Sequence, residues 1–195
     1  MYTVPTNIEL NGRDFPIRDR GDFRTVLNCF KLLNDTELDK QERILSCLLV
    51  FYDNMYDIDD LSELGDLEIA TKEMFNFFNC NQPDIQSINH KNYKLIDWEK
   101  DEQMIASGIN SVTHSEVRTV DYLHWWTFMG YYMAIGESTL STVVGIRKKI
   151  AEGKKLEKYE KEFKRDNPQY FNWDLSQDNE AKAFEDELRK MWEKK

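Results

Sequence analysis

Asp121 and His124 stand three residues apart, so on a helix both side chains fall on one face. A carboxylate there can orient the imidazole as a general base, or the two can supply half of a metal site. A metal would need two more ligands, and no HExxH run or Cys/His cluster provides them at a recognisable spacing. The simpler reading makes His124 a core histidine hydrogen-bonded to Asp121 or a backbone carbonyl, while the indole N–H of Trp125 or Trp126 finds another acceptor. His90 falls in a polar stretch and His114 at a helix end.

The run DNMYDIDDLSELGDLE at 53–68 puts Asp57, Asp59 and Glu68 at positions one, three and twelve of a calcium loop. Position five is Leu61, and position six, where the turn needs glycine, is Ser62. The run therefore reads as a solvated acidic loop that ends by offering the Asp66 carboxylate to a helix N-terminus. Cys29, Cys47 and Cys80 are odd in number, widely spaced and without CxxC, as expected of reduced, buried thiols. GxSxG, Walker A and GxGxxG motifs are absent. The sequence nominates no catalytic, cofactor-binding or metal-binding residue, and a protein that is not an enzyme and carries no cofactor is expected.

Charge is informative about partners. The 195 residues carry a net charge of −10, which argues against nucleic acid. Residues 35–68 hold eleven acids against two bases, net −9, whereas residues 147–165 hold nine bases against four acids, net +5. Within the basic run, Glu152, Glu157, Glu160 and Glu162 would repel phosphate. Solvated helix faces are the plainest reading, but the opposite signs can also meet within one subunit, across subunits in head-to-tail association, or on a partner. The chain opens without a basic, apolar leader, so export is not expected.

The elements that must position these groups centre on Thr119–Lys155. From Val120 to Ile135 nearly every residue is apolar or aromatic, which predicts a central helix covered by its neighbours. The run is too short for a bilayer and carries Asp121 and His124, so no membrane is expected. Trp98, Leu123, His124, Trp125 and Trp126 are the predicted structural core. Ser138 offers an N-cap for a second, antiparallel helix through Leu140, Val143, Val144 and Ile150, with Arg147, Lys148 and Lys149 in its last turn and Gly153 beyond.

Upstream, alternating runs on either side of Asn11-Gly12 predict a hairpin, with Pro16 marking an edge strand. Helical spacing follows at Asp22–Asn34, after a capping box at Asp39/Glu42, and over Asp66–Asn79. A helix after Asp97 ends near His114, and a Lys-rich one through Leu156, Tyr159 and Phe163 stops before Pro168. The fold class expected is mainly α, a bundle of about six to eight helices with an N-terminal β-hairpin. Four regions are expected: a hairpin and three-helix lobe at 1–80, a linker at 81–94, a central aromatic helical lobe at 95–166, and an aromatic segment with a C-terminal amphipathic helix at 167–195.

LHWW at Leu123–Trp126, Ile146 and Arg147 downstream, the run Gly153–Leu156, and DWEKDEQMI at Asp97–Ile105 together resemble the phage gene-product-fifteen family of long-tailed phages and prophages. The resemblance covers residues 1 to about 165. Members are typically encoded just before the tape-measure gene, which implies a tail assembly chaperone in the cytoplasm of the infected or lysogenic bacterial host. The implied partners are the tape-measure protein, tail-tube subunits and further copies of the chain as a homo-oligomer; the alternative is a tail completion or connector protein retained in the virion. Surplus apolar elements could cover tape-measure helices by groove packing. Candidate partner-binding residues are Tyr170, Phe171, Trp173, Phe184, Leu188 and Trp192, with the cations Arg147, Lys148, Lys154 and Lys155.

Overall fold

The structure, a computed structural model, describes residues 3–82, 93 and 95–172. Those residues fall into two compact units, 3–82 with 116–133 and 93–115 with 134–172. Among them the secondary structure is mainly helical, with a two-stranded antiparallel hairpin at the N-terminus. None of the described helices is long and apolar enough to cross a membrane.

In the first unit, β1 (Asn7–Leu10) and β2 (Arg13–Pro16) pair with Ile8 opposite Phe15 and Leu10 opposite Arg13. Asn11 and Gly12 turn the chain with φ of 52° and 79°, the positive pair that a two-residue hairpin of this twist requires. The hairpin is not isolated: β1 packs on the helix Leu67–Phe78, and Ile17 forms an antiparallel bridge with Tyr52 while Pro16 O accepts from Asp53 N–H at 2.9 Å. Helix α1 (Phe23–Leu33) is capped by Asp22, α2 (Lys40–Phe51) by the Asp39/Glu42 box, and α3 (Leu67–Phe78) by Asp66. Each cap satisfies N–H groups that the first turn leaves without partners. Helix α1 packs on α2, where Cys29 and Cys47 are buried and each thiol faces the other's carbonyl.

In the second unit, α4 (Glu102–Thr113) closes on His114 in the left-handed conformation, and α6 (Thr139–Ala151) starts from a Ser138/Ser141 capping box and packs on α4. Gly108 in α4 is a close-approach position, since a Cβ there would lie 2.7 Å from Ile135 Cδ1. Helix α7 (Lys158–Asp166) follows, and Pro168–Tyr170 make a 3₁₀ turn.

Two expectations need correction. The helix expected over Val120–Ile135 is shorter: α5 spans Trp125–Met133, and the chain before it is extended. Leu123 N–H donates to the Asp22 carboxylate at 2.9 Å, Leu123 O accepts from Phe23 N–H at 2.9 Å, and Trp125 N–H donates to Gly21 O at 2.8 Å. These long-range bonds use the backbone groups that an earlier helix start would need. Second, α5 does not share a lobe with α4 and α6, as the expected 95–166 region had it. Residues 116–133 belong with the N-terminal residues because α5 packs on α1, with Phe23 and Phe128 stacked at 4.6 Å.

Candidate functional site

The tetrapeptide Leu123–Trp126 is the centre of the first unit. Asp22, the N-cap of α1, bridges to His124, and Gly21 just before it has φ 76°. A Cβ on Gly21 would stand 2.8 Å from Phe77 Cζ and 3.0 Å from His124 Nε2, so glycine is required on both grounds. His124 is buried, with Nε2 3.0 Å from Pro5 O and Nδ1 3.1 Å from the backbone N of Trp126. An N–H donating to Nδ1 makes that nitrogen the acceptor, which assigns the proton to Nε2 and the ring to its neutral form. Burial pushes the imidazole below its ordinary pKa.

The two indoles act as a pair. Trp125 Nε1–H donates to Phe78 O and Trp126 Nε1–H to Phe77 O, each at 2.9 Å. These are the last two carbonyls of α3, beyond the reach of its own i+4 ladder, and Phe77 O also accepts from Cys80 N–H at 2.9 Å. Trp125 is fully buried, 5.5 Å from the Phe128 ring and 5.7 Å from Phe30. Of the five residues expected in the core, His124 and Trp125 are buried, whereas Leu123, Trp126 and Trp98 are half-buried. Asp121 is exposed, and the dyad drawn from its spacing to His124 is not assembled, because the ring nitrogens face Pro5 O and the Trp126 N–H.

Arg147 also departs from expectation. Instead of a surface cation for a partner, it is buried, with its guanidinium forked onto Asp101 at 2.6 and 3.0 Å. It donates further to Leu95 O at 3.0 Å and to Tyr170 O from both Nε and a terminal nitrogen, at 3.0 and 2.7 Å. Asp101 spends its other contact on the Asp97 N–H at 3.0 Å, which explains why it does not cap α4 and why the helix starts only at Glu102. Lys149 reaches Glu160 at 2.6 Å, and this bond holds the Glu160 carboxyl below its usual range. Lys148, Lys154 and Lys155 are exposed, Lys154 pairing with Glu152 at 2.7 Å. Tyr170 and Phe171 are half-buried, Phe171 edge-on to Phe163 at 6.3 Å. Trp173, Phe184, Leu188 and Trp192 lie outside the described residues, as does His90.

The acidic stretch is a structured turn. Asp60 accepts from the N–H groups of Tyr56 and Asp57 at 2.7 and 3.1 Å, and Asp57 from those of Asp59 and Asp60 at 2.9 and 3.3 Å. Among the described residues no group of three or more His, Cys, Asp or Glu side chains is placed to hold a metal ion. Pro5, Gly21, Asp22, Phe77 and Phe78 were not singled out from the sequence as partners of the tetrapeptide, although Asp22 marked the start of a stretch with helical spacing.

The profile of the bacteriophage Gp15 protein family matches residues 2–171. The chain belongs to that family. It is thus a phage protein of the structural or assembly kind. No curated protein and no solved structure matches it. The family match takes in the tetrapeptide, Arg147 and the Tyr170 carbonyl that Arg147 holds, and it ends one residue beyond Tyr170.

Proposed function

We propose that this Gp15-family protein is a tail assembly chaperone that binds the tape-measure protein, and tail-tube subunits in turn, during tail morphogenesis, acting by binding and not by catalysis in the cytoplasm of the host bacterium. The observation that carries the reading is the surface of α5. Its sequence WWTFMGYYM is apolar or aromatic at almost every position, yet only Trp125 and Phe128 are buried. Met133 is 64% exposed, and Trp126, Met129, Tyr131 and Tyr132 are half-buried. An apolar helix covered on one side offers the complementary half of a groove for another amphipathic helix, and methionine adapts to varied apolar shapes. Long tape-measure helices present such stripes.

The test is quantitative mass spectrometry of lysate and of purified particles from the same infected culture. A chaperone is abundant in the lysate and absent from the particle. A fixed copy number in the particle would instead establish a completion or connector protein.

A further inference from the structure

Two oppositely charged surfaces each carry large apolar side chains in the open. In the first unit, Tyr56 (76% exposed) and Ile58 (60%) alternate with Asp57 and Asp59 on the loop after α2. In the second, Tyr159 (63%) stands on the first turn of α7 beside the exposed Lys155 and Lys158. Scattered exposed apolar residues are ordinary, but these are held in place. Arg18 donates to the carbonyls of Leu49, Tyr52 and Met55 at 3.0, 3.2 and 2.9 Å and lies 5.9 Å from the Tyr56 ring. The Asp57 and Asp60 carboxylates lock the loop backbone, and buried Leu61 and Leu64 anchor it from below. On the other surface, the Tyr159 hydroxyl donates to Glu160 Oε1 at 3.3 Å, and Lys149 fixes that carboxylate.

Side chains ordered in advance lose little entropy on docking, and an aromatic anchor ringed by charge is the usual anatomy of an interface centre and rim. We infer that the Tyr56–Ile58 loop of one copy docks on the Tyr159 face of α7 in a second copy, with Asp57 and Asp59 meeting Lys155 and Lys158. Charge complementarity selects the occupant: the loop lies within the 35–68 segment of net −9, and Lys155, Lys158 and Tyr159 lie within the 147–165 segment of net +5. The two surfaces differ, so the contact is heterologous, and each added copy leaves one of each surface open. The inference concerns copies of this chain alone and does not rest on the tape-measure reading.

Sedimentation velocity on the full chain tests it. The mass should rise with concentration, with the association weakened about tenfold or more on going from low to half-molar salt. Tyr56→Ser/Ile58→Ser and Lys155→Glu/Lys158→Glu should each be monomeric with unchanged melting, since every substituted side chain is exposed. Mixing the two variants should give a 1:1 complex that grows no further, because each keeps the surface the other lacks. Should either variant melt early, Asp59→Lys and Tyr159→Ser replace them with the same expectation. A wild type that stays monomeric at all concentrations, a variant that still assembles, or a mixture that stays monomeric would each overturn the inference.

Discussion

In the first unit Trp125 is held by neutral contacts, and in the second Arg147 is held as a buried charge. Around Trp125 the partners are aromatic rings and the last carbonyl of α3; around Arg147 they are a carboxylate and two backbone carbonyls. The difference is in what each leaves behind when broken. A lost indole leaves a cavity and an unsatisfied carbonyl, whereas a lost Asp101 leaves a buried guanidinium without its counter-charge.

That contrast can be broken at its strongest point by Asp101→Ala, which should destabilise the protein by about 3 to 5 kcal/mol in urea unfolding. Replacing both partners, Asp101→Leu with Arg147→Met, should recover much of the loss, since no charge is then stranded. Trp125→Ala should also cost about 3 to 5 kcal/mol, and no second substitution at its hydrogen-bond partner can restore it, because that partner is the Phe78 backbone. Trp126→Ala sharpens the comparison within one tetrapeptide. The same donor bond is lost from a half-buried ring, so about 1 to 2 kcal/mol is expected in the same assay.

The smallest effect is a pH dependence. His124 has a folded pKa below its unfolded value of 6.5, so the unfolded chain takes up the proton first. Its contribution to stability is fully present above that value and is lost as pH falls below it toward the folded value. Tm should decline as pH falls below about 6.5, and His124→Gln should flatten the slope. Glu160 does not enter that window: its pKa is depressed, so the stability it brings is lost only as pH falls below 4.5.

Local signals were legible in the sequence and long-range ones were not. Asn11-Gly12, the Asp39/Glu42 box, Asp66 and Ser138 act on neighbours within a few residues, and the hairpin and helix starts follow from them. The LHWW run looked helical throughout because its apolar pattern is unbroken; its extended half is set by Gly21, Asp22 and Phe23, about a hundred residues earlier. Arg147 sat in a run of cations and read as surface, and the carboxylate that buries it is 46 residues away. Nothing in the sequence marked Gly21 as the point where Phe77 and His124 close in, since that contact exists only once distant stretches of the chain have come together.

The most direct test of the chaperone proposal is co-expression of the full chain with the tape-measure protein of the same phage, followed by size-exclusion chromatography with light scattering. A soluble complex holding many copies of this chain on one tape-measure protein that precipitates alone is the expected result, and Met133→Asp on the open side of α5 should diminish it. Separate elution of this chain, with the tape-measure protein still aggregating, would contradict the proposal.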